Sequence, residues 1–334
     1  MKKICLFLVL VILINASLNS CANGSKKADP ASNIYQDKYV YLVAGFDDAA
    51  ENTDVLFTVS YDPENNTAYV AQIPRDTYYK FGNGQNKINQ IFATLISQGK
   101  SQNDALEITA AKIADLFGTK FDGYFGITTD TFESVIDAIG GIELEVGEDM
   151  AFTLEDGENS LVLKKGKNLI DGKAAANFVR YRSGYAMGDL GRIDAQKLFL
   201  NAIFYKMSKG VSIPLMFKLA GTFQNKILTN VKLFDILSLY IDSMNKKEER
   251  KVCYVTVPGV PAENSGGLSF YVLNRKNAAE IAKKYMYATK KFDVGLLCKN
   301  ADDPKFELIY EDSNLGYREY TNKNLDDIHI VQKN

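Results

Sequence analysis

The sequence predicts an α/β fold of the α+β kind, in which a β-sheet is covered by helices. Short runs rich in β-branched and aromatic residues alternate along the chain with longer segments whose apolar residues recur at helical spacing. With 334 residues, of which 46% are hydrophobic, the chain can bury a substantial core. Because neither a repeat nor an obvious linker interrupts residues 38–290, we expect one domain there.

The predicted elements follow the chain in order. The second and third strands flank Pro63-Glu64-Asn65-Asn66, a turn sequence that predicts a hairpin. A helical run opens at Lys87-Ile88-Asn89, and the next helix is expected to begin at an Asn103 cap and to stop at Gly118. The predicted strands are 39–44, 55–61, 68–73, 123–127, 142–146 and 252–257. The remaining predicted helices are 130–139, 170–179, 190–208, 214–225, 232–244 and 274–289.

Residues 1–20 have the order of a lipoprotein-type signal peptide. Lys2 and Lys3 precede an almost wholly apolar run at 4–14, and Leu18-Asn19-Ser20-Cys21 follows at the distance of a cleavage site. We expect Cys21 to become the lipidated first residue, which would hold the protein at the extracytoplasmic face of a bacterial cell membrane. An ordinary secretory signal is the alternative. A simple membrane anchor is disfavoured because the run is short for a bilayer core of about 30 Å.

Charge and histidine content exclude several kinds of function. Removing residues 1–20 takes away Lys2 and Lys3, so Lys+Arg falls from 39 to 37 against 41 Asp+Glu, and no nucleic-acid partner is expected. The only histidine is His329, which argues against a His-based triad or a His-rich zinc site. Cys253 and Cys298 could pair in an oxidising exterior if the fold brings them together. The chemistry must therefore use Asp, Glu, Arg, Lys or a bound ion.

A cluster of arginines in residues 177–198 predicts an anion site. If the chain at Arg180 and Arg182 is extended, both guanidinium groups point to the same face. Asp189 is expected to cap the next helix, which places Arg192 in the first turn and Gln196 one turn later. Because adjacent cations repel each other, a negative group such as a phosphate should lie between them. The alternative is that these arginines form surface ion pairs, which are nearly neutral in energy.

Further charged residues lie at the predicted strand ends. Arg75 follows a strand, and Lys87 opens the helical run after it. Asp47 and Asp54 lie near the first two strands and are candidate ligands for Mg²⁺, which takes a few carboxylates and keeps water or phosphate oxygens for the rest. The candidate bases are Asp47, Asp54, Asp76 and Asp189.

Seven motifs in order resemble the LytR-CpsA-Psr family over about residues 39–208. The motifs are GFD at 45–47, TD at 53–54, IPRDT at 73–77, KIN at 87–89, FDGY at 121–124, DAIGGIELEV at 137–146 and VRYR with GDLGRIDAQ within 179–196. The resemblance implies a central mixed sheet flanked by helices, with an apolar cavity for a polyprenyl chain. It also implies a catalytic domain at 38–290. The small, polar residues of 21–37 have the composition of a tether, and the polar residues 291–334 predict an irregular extension.

The resemblance implies a Mg²⁺-dependent phosphotransfer. An anionic glycopolymer, such as teichoic acid or capsular polysaccharide, would move from a polyprenyl pyrophosphate carrier to peptidoglycan. By motif, Asp47 and Asp54 match the metal-binding positions and are catalytic together with Arg75. The positions that match pyrophosphate contacts are Arg75, Lys87, Arg180, Arg182, Arg192 and Gln196.

The sequence departs from the family pattern at three positions. Ala49, Asn52 and Ala195 stand where the family usually has arginine. Each lost charge-assisted hydrogen bond is worth roughly 1.5 to 3 kcal/mol, so the departures weaken the phosphate site. Two further interpretations therefore stay open. The first is a non-catalytic binder or regulator of lipid-linked saccharides, and the second is a pyrophosphatase in which water replaces the sugar hydroxyl.

Overall fold

The computed structural model describes residues 38–47, 52–62, 64–81, 87–153, 160–181, 185–209, 226–232, 251–290 and 316–325, with single residues at 215, 219, 306, 309 and 328. The signal peptide, the tether and Cys21 lie outside these residues. Within them, no helix is long and apolar enough to cross a membrane.

Strands and helices alternate along the described chain. The strands are β1 (Tyr39–Phe46), β2 (Thr53–Asp62), β3 (Thr67–Gln72), β4 (Gly123–Thr128), β5 (Ile142–Val146), β6 (Met150–Thr153), β7 (Ser160–Leu163), β8 (Gly166–Ile170), β9 (Leu228–Thr229), β10 (Lys251–Thr256), β11 (Gly259–Glu263), β12 (Ser269–Leu273) and β13 (Glu319–Thr321). The helices are α1 (Gln90–Ser97), α2 (Gln102–Phe117), α3 (Thr129–Ala138), α4 (Gly172–Arg180), α5 (Asp189–Ser208) and α6 (Arg275–Tyr285).

A seven-stranded mixed sheet forms the centre of the fold, in the order β13-β10-β3-β2-β1-β4-β9. The β1–β2 and β2–β3 pairs are antiparallel, whereas β4 runs parallel to β1 and β10 runs parallel to β3. The predicted hairpin between the second and third strands is confirmed. Three two-stranded sheets, β5–β8, β6–β7 and β11–β12, lie outside the central sheet.

Both faces of the central sheet are apolar and covered by helices. Alternate residues of β1 point to opposite faces, so Tyr41 and Val43 pack in one core while Val40 and Leu42 pack in the other. The first core also contains residues of α3, α4 and α5, and the second contains residues of α1, α2 and α6. The predicted mixed sheet flanked by helices is therefore confirmed, and its burial on both faces explains the nearly continuous apolar sequence of β1.

The start of α2 differs from the prediction. Ser101, rather than Asn103, is the N-cap, because the Ser101 hydroxyl accepts a hydrogen bond from the backbone N–H of Asp104 at 3.2 Å. The same hydroxyl donates to the Asp104 carboxylate at 2.7 Å, so the two side chains are joined across the first turn. The helix ends, as predicted, at Gly118, whose φ of 65° favours glycine.

Two later helices also begin at residues that differ from those predicted. Ile170 ends β8, and α4 begins at Gly172 after an Asp171 cap. Asp189 is the first residue of α5 rather than its cap, because Gly188 occupies the N-cap position with a φ of 55°. The Asp189 carboxylate pairs with Arg192, three residues further along the helix. The helices predicted at 214–225 and 232–244 lie almost wholly outside the described residues.

The sequence predicts an irregular extension after residue 290, but part of it completes the central sheet. β13 pairs antiparallel with β10, with Tyr320 opposite Tyr254. Tyr320 and Leu325 are buried in the first core. The Cys253 side chain is also buried, while Cys298 lies outside the described residues, so their pairing stays a prediction.

Candidate active site

A β-bulge brings Asp54 to the site. In the β1–β2 pair, Phe46 lies opposite Thr53 and Gly45 lies opposite Val55, so Asp54 is the extra residue. In a regular strand Asp54 and Val55 would face opposite sides of the sheet. The bulge instead allows both residues to line one cavity on the first-core side.

Arg75 lies in a tight turn directly after β3. The backbone N–H and the hydroxyl of Thr77 both donate to the Pro74 carbonyl, at 3.0 and 2.6 Å. The Arg75 carbonyl accepts a hydrogen bond from the Asn89 N–H at 3.3 Å, which attaches the turn to the start of α1. The backbone of Arg75 is thus held from both sides, and its side chain is directed by the turn rather than by a flexible loop.

Four charged side chains form a chain of alternating sign at this edge of the sheet. The Arg75 guanidinium donates to the Asp54 carboxylate at 2.5 Å, and its Nε lies 3.8 Å from Asp189 Oδ1. The same Asp189 oxygen lies 2.7 Å from a terminal nitrogen of Arg192. The two guanidinium groups are therefore separated by a carboxylate, which offsets their repulsion.

Lys87 and Asp76 lie at the other side of Arg75. Lys87 Nζ is 3.0 Å from the Asp76 carboxylate and 5.5 Å from the centre of the Phe270 ring. The β11–β12 hairpin is attached to the same turn, because the Tyr271 N–H donates to the Asp76 carbonyl at 2.8 Å. Lys87 is consequently held next to the network by both a carboxylate and an aromatic face.

The electrostatics of the network centre on Arg75. Burial lowers the pKa of Arg75, but the negative charges of Asp54, Asp189 and Asp76 more than offset burial and raise that pKa above its ordinary value. The Arg75 side chain is about one-fifth exposed, so an anion from solvent can reach the guanidinium. Arg75 is therefore a permanently charged, accessible cation.

A cavity of about 130 Å³ opens beside this network. Six polar residues line it, and the other lining residues are apolar. The polar ones are Asp54, Gln72, Thr128, Thr129, Arg180 and Gln196. The apolar ones include Val43, Val55, Phe57, Ile127, Phe132, Val135, Val179, Phe199, Leu200 and Ile203. Asp54 both lines the cavity and pairs with Arg75, so the charged network and the apolar cavity are continuous.

Part of the arginine-rich segment, residues 177–198, lines this cavity. Arg180 is the last residue of α4, still helical rather than extended, and it lines the cavity together with Gln196 of α5. Arg192 lies in the first turn of α5, as predicted, and its side chain is buried. Arg182 lies outside the described residues, so its role stays a prediction.

Gln72 is a residue that sequence reasoning missed. It ends β3, lines the cavity and donates from Nε2 to Gln196 Oε1 at 3.2 Å. Gln196 in turn donates from Nε2 to the Val179 carbonyl at 3.0 Å. In the sequence, the sign of its role is that Gln72 is a single polar residue near the end of the otherwise apolar run Ala68–Ile73.

The two metal-ligand candidates lie at one end of the β1–β2 hairpin. Asp47 directly follows β1, and its carboxylate accepts from the backbone and side-chain amides of Asn52, both at 3.4 Å. In the part of the chain that is described, no group of three or more His, Cys, Asp or Glu side chains could hold a metal ion. Mg²⁺ is commonly bound by one or two carboxylates plus substrate phosphates, which is a donor set of this kind, and its binding here stays a prediction.

The chain belongs to the LytR_cpsA_psr family, whose model matches residues 9–286. The resemblance of the ordered motifs is thus confirmed at the level of the family.

Known relatives share part of the sequence and the fold. The polyisoprenyl-teichoic acid–peptidoglycan teichoic acid transferase TagV of Bacillus subtilis (strain 168) is 28% identical over 227 residues, which cover 66% of this chain and 56% of TagV. The chain therefore spans just over half the length of TagV. The transferase of the same description named TagU, from the same strain, is 25% identical over 285 residues, or 83% of this chain and 86% of TagU.

The fold is also that of a solved structure. Protein gbs0355 from Streptococcus agalactiae superposes with a TM-score of 0.63 at 20% identity, over 77% of this chain and 90% of that chain.

Proposed function

We propose that this protein transfers an anionic glycopolymer of the teichoic acid class from a polyprenyl pyrophosphate carrier to peptidoglycan. One observation carries the proposal: Asp54 lines the apolar cavity and pairs with Arg75, so a cationic network adjoins an apolar chamber. A ligand that matches both parts has a long apolar chain and a compact anionic head. The relatives TagV and TagU are named as polyisoprenyl-teichoic acid–peptidoglycan transferases, which supports this ligand class.

The two parts of the site contribute different free energies of binding. The cavity would take the first isoprene units, with each buried CH₂ contributing about 0.8 kcal/mol. The guanidinium groups of Arg75 and Arg192 suit the oxygens of a pyrophosphate, to which they can donate charge-assisted hydrogen bonds. Phe199, Leu200 and Ile203 follow Gln196 along α5, so the apolar lining extends from the polar end along the helix.

The proposed reaction is a phosphoryl transfer. A hydroxyl oxygen of peptidoglycan attacks the phosphorus that carries the glycopolymer, and a new phosphodiester bond forms. The bond from that phosphorus to the bridging oxygen breaks, polyprenyl phosphate leaves, and the hydroxyl proton passes to an aspartate of the site. Arg75 and Arg192 stabilise the negative charge that develops on the phosphoryl oxygens and on the leaving phosphate.

We further propose that Asp47 and Asp54 hold Mg²⁺ together with oxygens of the pyrophosphate. The charged contacts described above are balanced among themselves: the cations Arg75, Lys87 and Arg192 face the carboxylates Asp54, Asp76 and Asp189. A diester of pyrophosphate adds a negative charge on each phosphorus, which a divalent cation would neutralise. When bound, Mg²⁺ would supply Lewis-acid polarisation of the phosphoryl oxygens.

We also propose that the protein is a lipoprotein at the extracytoplasmic face of the membrane. The support is the order of Lys2, Lys3, the apolar run at 4–14 and Cys21. Such an anchor would keep the site near its lipid-linked substrate. Cell fractionation of wild type and Cys21→Ala tests this proposal. We expect the Cys21→Ala protein to leave the membrane fraction or to keep its signal peptide. An uncleaved N-terminus in the wild-type protein would contradict the lipoprotein proposal.

The ligand proposal is tested by extraction of the purified protein with organic solvent and mass spectrometry of the extract. We expect polyprenyl phosphates or pyrophosphates in wild type and their depletion in an Arg75→Ala, Arg192→Ala double variant. Arg275→Ala, a change at an exposed arginine of α6, is the control and should retain the lipid. The proposal fails if wild type carries no such lipid and binds none when it is supplied in detergent.

A non-catalytic carrier is the second candidate, and two observations favour it. Asn52 presents neutral amides to Asp47, and Ala195 is wholly buried in the first core, where the family usually has arginines. A site with fewer cations would still bind the lipid-linked saccharide but would transfer it more slowly. Mg²⁺-dependent release of polyprenyl phosphate separates the two candidates. A pyrophosphatase would release the polymer free rather than joined to peptidoglycan.

A further inference from the structure

Phe152 of β6 lies in an aromatic cluster with Phe178, Tyr181 and Tyr185. The centre of its ring is 4.7 Å from that of Tyr181, 5.9 Å from that of Phe178 and 6.3 Å from that of Tyr185. The ring planes cross at 74 to 86°, the edge-to-face arrangement in which aromatic pairs attract each other. Phe152 is wholly buried, although β6 belongs to a small sheet outside the central one. The β6–β7 hairpin therefore contributes this ring to the packing of α4 and of the chain after it.

The aromatic cluster holds the end of α4. Tyr181 is the C-cap of this helix and directly follows Arg180, which lines the cavity. The Tyr185 hydroxyl donates to the Phe178 carbonyl at 3.4 Å. That carbonyl lies in the last turn of α4, where helix carbonyls lack intrahelical partners. The backbone of α4 is thus fixed on both sides of Arg180, by Phe178 and by Tyr181.

Tyr185 also contacts the first turn of α5. The Gly188 N–H, at the N-cap of α5, donates to the Tyr185 carbonyl at 2.9 Å. The Tyr185 side chain packs on Gly191, where an added Cβ would lie only 2.7 Å from the Tyr185 Cβ. A larger side chain at Gly191 would therefore force a shift of one of the two segments. Arg192 follows Gly191, so the aromatic cluster adjoins the turn that carries this arginine.

We infer that Phe152 is a positioning residue for the proposed transfer, because its ring fixes the separation between Arg180 of α4 and Arg192 of α5. Phe152 does not line the cavity in the described part of the chain, so it acts on a ligand through the segments that it holds. Two guanidinium groups can contact one pyrophosphate only at a matched spacing, and a misplacement of about 1 Å can cost about a hundredfold in rate. This inference rests on the proposed function, since it takes both arginines to bind the pyrophosphate.

Phe152→Leu tests the inference, because leucine keeps the position apolar but lacks the ring. Farnesyl pyrophosphate and farnesol share one chain, and only the first carries the anion. Their affinities are measured by displacement of a fluorescent isoprenoid from the full-length protein in detergent with Mg²⁺. We expect Phe152→Leu to lower the preference for the pyrophosphate at least about fivefold, because misaligned guanidinium groups donate weaker hydrogen bonds. The affinity for farnesol should stay as in wild type.

Phe117→Leu is the matched control. Phe117 is wholly buried in the second core, on the other face of the sheet, so its change also removes a ring from the interior. We expect this variant to keep the preference for the pyrophosphate. Thermal unfolding shows whether each variant is folded. If Phe152→Leu does not fold, Gly191→Ala replaces it, because the added methyl group displaces Tyr185 from α5 and should lower the preference likewise.

Three results would overturn the role of Phe152 alone. The first is an unchanged preference in folded Phe152→Leu, or in Gly191→Ala if that variant replaces it. The second is an equal loss of affinity for both ligands, which would show that Phe152 only maintains the cavity. The third is the same loss of preference in Phe117→Leu, which would assign the effect to core packing in general. A wild-type protein that binds both ligands equally, or binds neither, would overturn the site of the proposed function as well.

Discussion

The guanidinium of Arg75 lies 2.5 Å from the carboxylate of Asp54. The register of the β2–β3 hairpin explains this proximity, because Phe57 pairs with Gln72. Asp54 lies three residues before Phe57, and Arg75 lies three residues after Gln72. Asp54 and Arg75 therefore lie opposite each other where the pairing of β2 with β3 ends. The proposed function depends on this relationship, since it joins the cationic network to the cavity.

We expect Arg75→Ala and Arg192→Ala each to reduce turnover at least about tenfold. Each change removes a charge-assisted contact to a pyrophosphate, and a loss above about 1.4 kcal/mol corresponds to that factor. The measurement is the rate of polyprenyl phosphate release from a lipid-linked substrate. Arg275→Ala on α6 is the control. Equal small effects at all three positions would contradict a localised anion site.

We expect Asp54→Asn to raise the Mg²⁺ concentration needed for half-maximal rate at least about tenfold. The change keeps the shape of the side chain but replaces an anionic ligand by a neutral one, which binds a hard cation less tightly. Titration of activity with Mg²⁺ provides the measurement. Asp115→Asn, on the exposed side of α2, should leave the Mg²⁺ requirement as it is. An unchanged Mg²⁺ requirement in Asp54→Asn would remove Asp54 from the metal site.

We expect Val55→Phe to weaken the binding of a polyprenyl phosphate at least about tenfold. A larger side chain at this position fills cavity space, and each CH₂ of the lipid that stays in water forfeits about 0.8 kcal/mol. The measurement is direct binding of the lipid in detergent. Val162→Phe, at an exposed position in β7, is the control. Unchanged lipid affinity in Val55→Phe would show that the chain binds elsewhere.

We expect part of the stability to be lost in acid through Asp62, which begins the β2–β3 turn. Burial raises the pKa of Asp62, but hydrogen bonds from Lys38 and Asn65 more than offset burial and hold that pKa below its ordinary value. A carboxylate with a lowered folded-state pKa stabilises the protein above its unfolded pKa of about 3.9, and this contribution disappears as the pH falls through the folded pKa.

Urea unfolding of wild type and Asp62→Ala measures this contribution. At pH 7 we expect the variant to lose about 1 to 3 kcal/mol of the free energy of unfolding, because several hydrogen bonds lose their acceptor. Between pH 5 and about pH 2 the difference between the two proteins should shrink. A difference that is the same at every pH would show that Asp62 acts through packing rather than charge.

Much of the fold could be predicted from local patterns. Apolar runs and turn residues predicted the strands of the central sheet from β1 to β4 and the hairpin that places Asp54 near Arg75. The β11–β12 hairpin was missed because Pro261 and the glycines around it are typical of loops, and Pro is tolerated there only because β11 pairs on one side. β13 was missed because a strand of three residues carries too little pattern.

The sequence predicted which types of residue form the candidate site, but not how these residues are arranged. The sequence predicted a negative group among the arginines of residues 177–198, but the structure places the Asp189 carboxylate between Arg192 and Arg75, which lies outside that segment. Asp189 was expected to be a helix cap. The bulge at Asp54 and the amide chain of Gln72 and Gln196 depend on contacts between residues distant in sequence. Such contacts leave no periodic signal along the chain.

We expect Mg²⁺-dependent transfer to occur at the Arg75–Asp54 network. The most direct measurement follows a labelled glycopolymer on a polyprenyl pyrophosphate carrier, incubated with the protein and peptidoglycan fragments. With Mg²⁺, we expect label to join peptidoglycan in amounts equal to the polyprenyl phosphate released, and Arg75→Ala to reduce both at least about tenfold. Carrier that binds to the wild-type protein but stays intact in the presence of Mg²⁺ and acceptor would contradict transfer at this network.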